Sequence, residues 1–207
     1  MGDPDAVMLI DTPHGPARVH LPPAADARAA LVLGHGAGGG VGAPDLVAVA
    51  EAALAEGFAV ALVEQPYRVA GRRSPPRAQV LDASWTAVVA HLGVGPLAGL
   101  PLVAGGRSSG ARVACRTAAA TGVVAVLCLA FPLQPAARAG KAPAPSRLVE
   151  LEGVEVRVLV VQGERDPFGI PPGGPGRRVV TIPGDHALRS TGPVVAAVTP
   201  WLAGLGE

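Results

Sequence analysis

The stretch GGRSSGARVA, residues 105–114, sets one serine between glycines two positions to either side, directly after the apolar run PLV (101–103). Gly106-Arg107-Ser108-Ser109-Gly110 fits a turn in which a strand passes abruptly into a helix and exposes a serine hydroxyl at the bend. The two glycines let strand and helix approach without side-chain clash. The chain has 28 glycines but only six serines, so the pattern draws its weight from position. It needs a buried strand before it and a helix after it, and both are legible: PLVAG (101–105) is apolar, and from about Ser109 to Ala120 the residues suit a helix.

Outward from this turn, apolar runs alternate with segments of helical period, which predicts an α/β protein. AVMLID (6–11) and ARVHLP (17–22) flank TPHGP and read as an antiparallel hairpin. ALVLG (30–34), FAVALVE (58–64), VVAVLCLAF (123–131), VEVRVLVVQG (154–163) and RRVVTIPG (177–184) read as further strands, eight in all with PLVAG. A helix is expected from about Pro44 to Glu56, with Leu46, Val49, Ala53 and Leu54 on one face. A second carries Leu81, Trp85, Val88 and Leu92 and stops at Gly93. A closing helix presents Val194, Val198, Trp201 and Leu205 and is expected to kink at Pro200. Residues 132–153, rich in Pro and Ala, read as an irregular connection with at most one short helical turn and no room for a lid. The expectation is one domain over residues 1–207, a mostly parallel sheet with helices on both faces and no cap.

Composition bounds the function. A net charge of +1, no block of like charge and six aromatics give no footprint for nucleic acid. No uncharged apolar run reaches the roughly 20 residues of a membrane span. The acidic start MGDPDAVMLID shows neither a basic leader nor a myristoylation signal, so a cytoplasmic location is expected. Cys115 and Cys128 lie in apolar segments without a second ligand at metal spacing, and read as buried thiols. No metal and no cofactor are expected. The oligomeric state is not encoded legibly.

A serine hydroxyl is a poor nucleophile at neutral pH unless a general base takes its proton and a third group orients that base. Downstream of Ser108 stands one histidine, His186, in IPGDHALR just past the last predicted strand. Asp166 follows the preceding strand in LVVQGERDPFG, while the strand before that ends in LAFPLQP without a carboxylate. All three residues follow the carboxyl ends of different predicted strands, the edge at which sites of parallel sheets assemble. Attack on an acyl carbonyl also needs donors for the oxyanion. GHGAGGG (34–40) follows the third strand, and the backbone N–H groups of Ala37 and Ser109 are the expected pair.

Several residues admit plainer roles. Ser108 could cap its helix, Asp166 could serve the turn before Pro167, and His186 could be a surface histidine beside Asp185. Gly34-x-Gly36-x-x-Gly39, with Glu64 at the end of the next strand, matches a dinucleotide-binding fingerprint. That fingerprint normally follows the first strand and runs straight into its helix, whereas here a hairpin precedes it and GVGAPD intervenes. Arg72 and Arg73, in the loop after the fourth strand with Arg68, and Arg107, beside the serine, are candidates to receive a substrate carboxylate. His35 is expected to order the glycine loop rather than act on substrate. His14, His20 and His91 stand in no constellation.

LGHGAGGG, GGRSSGARVA, VQGERDPFG and GDHALR together resemble the α/β-hydrolase superfamily near dienelactone hydrolase. With PYRVAGRRSPP (66–76), they resemble more closely the branch holding testis-expressed protein 30 and the third regulatory subunit of the non-specific lethal complex. The resemblance runs from about residue 15 to the end. It implies Ser108 as nucleophile, His186 as base, Asp166 as acid, and oxyanion donors at Ala37 and Ser109. The chain departs from dienelactone hydrolase in carrying serine where that enzyme uses cysteine, and the branch includes proteins known as complex subunits. The expected activity is hydrolysis of a small or soluble ester or thioester through an acyl-enzyme. The contrasting expectation is an interaction module on the same scaffold without turnover.

Overall fold

The computed structural model describes residues 6–24, 26–135 and 144–206. Eight strands form one sheet in the order β1-β2-β4-β3-β5-β6-β7-β8. They are β1 (Ala6–Ile10), β2 (Ala17–Leu21), β3 (Ala29–Gly34), β4 (Phe58–Glu64), β5 (Leu102–Arg107), β6 (Ala125–Leu129), β7 (Arg157–Gly163) and β8 (Arg177–Ile182). β1 pairs antiparallel with β2, and β2 with β4, as the hairpin reading expects. The remaining pairings, from β4 through β3 to β8, are parallel.

The central strands are apolar on both sides because helices cover both sides. Leu31 and Leu33 of β3 pack with α1 (Pro44–Ala55) and α6 (Thr191–Ala203), while Ala30 and Val32 face α3 (Ala78–Val94) and α4 (Ser109–Thr121). Trp85, Val88 and Leu92 of α3 are buried, as their spacing requires, and so are Val194, Val198 and Leu202 of α6. Cys115 of α4 and Cys128 of β6 are buried free thiols with their sulfurs 3.4 Å apart. None of the helices formed by the described residues is long and apolar enough to cross a membrane.

The differences from the sequence reading sit at element ends and in one short helix. α3 runs one residue past Gly93 and closes at Gly95, because glycine in the last turn still has helical geometry open to it. α6 ends at Ala203, so Leu205 falls in the 3₁₀ turn Gly204–Gly206 rather than on the closing helix. A short helix, α2 (Pro66–Val69), starts on Pro66 at its first position, a place where proline costs no hydrogen bond. The connection after β6 contains one short helix, α5 (Leu148–Glu152); residues 136–143 lie outside the described part. Among the described residues no cap covers the carboxyl edge of the sheet.

Candidate active site

The bend after β5 is built by exclusion of side chains. A Cβ on Gly106 would stand 2.5 Å from the Gly34 carbonyl oxygen and 3.0 Å from the Gly110 Cα, and one on Gly110 would collide with the Gly34 carbonyl. Only glycine lets β5, β3 and the start of α4 approach this closely. Ser108 itself takes φ 52° and ψ −103°, a left-handed conformation that a non-glycine residue adopts at a cost of about 1–3 kcal/mol. Its N–H donates to the Leu129 carbonyl at 2.8 Å, and its carbonyl accepts from Arg112 N–H at 3.2 Å, so the bend is held at both ends.

Ser108 occupies the position before α4, yet its hydroxyl makes no capping bond. The oxygen lies 3.0 Å from His186 Nε2 instead. His186 Nδ1 lies 2.7 Å from Asp166 Oδ2. With Asp166 ionised, Nδ1 carries the ring proton and Nε2 is free to accept the hydroxyl proton. The Asp166 side chain is fully buried. Its two oxygens also accept from the Phe168 N–H at 2.9 Å and the Gln162 side-chain amide at 2.8 Å, so its charge is compensated.

Other groups hold the imidazole in place. The Phe168 ring meets it edge-on, centroids 4.6 Å apart. Arg107 Nη2 donates to the His186 carbonyl at 2.9 Å, while Arg107 Nε forms an ion pair with Asp45 at 2.9 Å. Burial pushes the Asp45 carboxyl above its ordinary range, with the Arg107 charge pulling the other way. Gly163 ends β7 against the Asp185 backbone, where any Cβ would clash, and this brings the His186 loop onto the sheet edge. The N–H of Ala187 and the nearby Arg189 and Arg165 hold exposed Asp185 below the usual carboxylate range.

The loop after β3 is fixed from behind. Gln65 N–H donates to His35 Nε2 at 3.1 Å, which puts the His35 proton on Nδ1, where it is donated to the Gly36 carbonyl at 2.8 Å. Burial disfavours the His35 cation and lowers its pKa. Tyr67 O–H donates to the Ala37 carbonyl at 2.9 Å. Among the described residues, neither Ala37 N–H nor Ser109 N–H finds an acceptor. Ser109 opens α4, so its N–H shares the positive end of the helix.

The structure thus gathers Ser108, Asp166 and His186 at one edge. The arginines diverge. The Arg107 guanidinium is engaged by Asp45 and the His186 backbone, and Arg72 and Arg73 are exposed in the loop after α2. Five supporting residues were not singled out in the sequence, Gln65 and Tyr67 behind the glycine loop among them. Gln162 carried a signal, a polar side chain in an otherwise apolar buried strand. Asp45 and Phe168 carried none, because neither reveals its partner in one dimension.

Comparison with known proteins follows the same lines. Residues 27–172 match a family model described as an alpha/beta hydrolase domain. Among solved structures, a serine hydrolase without lid from Xanthomonas campestris shares 20% identity at TM-score 0.71, over 97% of this chain and 96% of that one. Est1E from Butyrivibrio proteoclasticus shares 16% at TM-score 0.74, over 95% and 97%. A dienelactone hydrolase from Anabaena variabilis shares 18% at TM-score 0.72, over 96% and 94%. At these identities the likeness is one of fold. No curated protein matches the sequence.

Proposed function

The chain belongs to the alpha/beta hydrolase domain family, and on that premise we propose that it is a serine hydrolase acting on small or soluble carboxylic esters or thioesters. The observation that carries this reading is the Ser108 hydroxyl turned away from its helix and toward His186 Nε2 at 3.0 Å. A capping serine would point the other way.

In the proposed reaction Ser108 Oγ attacks the acyl carbon as its proton passes to His186 Nε2. The Asp166 carboxylate holds the imidazole and stabilises the imidazolium that forms. The N–H groups of Ala37 and Ser109 receive the oxyanion, each worth a factor of roughly a hundred to a thousand in rate. Collapse of the tetrahedral intermediate expels the leaving group, which takes the proton from Nε2 and leaves an acyl-Ser108 ester. Water then gives a proton to His186 and attacks that ester, and the same proton returns to Ser108 as the acid departs.

The edge, without a cap among the described residues, supports short or soluble acyl groups, as does the lidless description of the Xanthomonas neighbour. The narrower kinship with the branch of testis-expressed protein 30 rests on PYRVAGRRSPP and is part of the same proposal, as is a cytoplasmic location. The test is a series of p-nitrophenyl esters of rising chain length. Turnover of acetate and butyrate esters that falls at least about 10⁴-fold in Ser108→Ala supports the reading. A tenfold preference for long-chain over short-chain esters overturns the substrate class.

A further inference from the structure

A pocket of about 260 Å³ lies apart from the triad, between the β1–β2 turn, α2 and the first turns of α3, and neither Ser108, Asp166 nor His186 lines it. That volume falls just below the roughly 300–1,000 Å³ of pockets for drug-sized ligands. The lining comprises nine residues, none of them acidic. Tyr67 and Leu81, both nearly buried, give it an apolar floor, and Pro66 and Pro76 wall it.

Its polar groups are few and held in place. Gln65 is 6% exposed and donates its amide N–H to the Leu81 carbonyl, but its Oε1 has no partner. Arg72 stands on a fixed backbone: its N–H donates to the Tyr67 carbonyl at 2.8 Å, directly after Gly71 at φ +74°. Among the described residues, no carboxylate lies within ion-pair distance of Arg72. Across the mouth, His14 sits in a turn closed by the Thr12 hydroxyl on the Gly15 carbonyl at 2.6 Å.

We propose that this pocket binds a small organic carboxylate with an apolar body. The carboxylate meets Arg72, as a guanidinium fork suits, and the apolar body lies on Tyr67 and Leu81. Tyr67 and Gln65 are also the residues that hold the loop at His35 and Ala37, so the bound molecule touches the supports of that loop. The site stands independently of the hydrolase reading.

The probe is 4-hydroxybenzoate, titrated by calorimetry, with 4-hydroxybenzamide as its uncharged counterpart. Saturable binding is expected, about tenfold weaker for the amide and about tenfold weaker in Arg72→Ala, and unchanged in Ser108→Ala. Arg72 is exposed, so its variant retains the fold, and an unaltered urea transition verifies this. No saturable binding, equal binding of the amide, indifference to Arg72→Ala, or loss in Ser108→Ala each overturns the proposal.

Discussion

Arg107 and Asp45 form an ion pair, Nε to carboxylate 2.9 Å, in which the Asp45 side chain is only 1% exposed. The pair joins the residue before Ser108 to the first turn of α1, and the same guanidinium reaches the His186 carbonyl. Removing one member of a buried pair strands the other, so Asp45→Ala is expected to cost about 3 kcal/mol in urea unfolding. It should also lower kcat more than it raises KM, because Arg107 loses the anchor from which it holds the His186 loop. Wild-type stability in Asp45→Ala would contradict this.

His35 ties stability to pH in one direction. Its folded pKa lies below the 6.5 of an unfolded histidine, chiefly through burial. As pH falls from 6.5 through the folded value, the unfolded chain takes up a proton that the folded one resists, and stability declines; above 6.5 the contribution is constant. A protonated Nε2 also cannot accept from Gln65 N–H. Urea transitions between pH 7 and 5 should steepen in their decline for the wild type and flatten for His35→Gln. Equal slopes would exclude the effect.

The glycines around the bend are not equivalent. A methyl on Gly110 has no space beside the Gly34 and His35 carbonyls, and Gly110→Ala should cost about 3 kcal/mol, the upper end for overpacking. A methyl on Gly38 would meet nothing within 4 Å, and the backbone there is not left-handed, so Gly38→Ala should fall within about 0.5 kcal/mol of wild type. Thermal unfolding of the two variants side by side decides the matter.

Gln162 is fully buried and holds Asp166, the Phe131 carbonyl and the Gly169 carbonyl through one amide group. Gln162→Leu keeps similar volume but removes the donor to a charged oxygen. About tenfold or more should be lost in kcat with KM little changed, together with about 1–3 kcal/mol of stability. Unchanged kcat would show that Asp166 is placed without Gln162.

The sequence carried the eight strands, the hairpin and the main helices because both kinds of periodicity are strong here. β3 and β6 are apolar throughout, and α3 repeats at intervals of four, three and four. Ser108, Asp166 and His186 were legible because each stands just beyond an apolar run, and the parallel sheet brings such ends together. What stayed hidden is pairing between distant side chains. Nothing in PDLV announces that Asp45 meets Arg107, and nothing in RRSPP places Arg72 beside Gln65 rather than at the triad. The short helix α2 was missed because four residues carry no periodicity.

The central claim is that Ser108 is an activated nucleophile, and covalent labelling by a fluorophosphonate tests it most directly. The account predicts one phosphonyl adduct per chain, mapped by mass spectrometry to Ser108, absent in Ser108→Ala and slowed by orders of magnitude in His186→Ala. A folded wild-type protein that takes up no label, or takes it up equally well without Ser108, would contradict it.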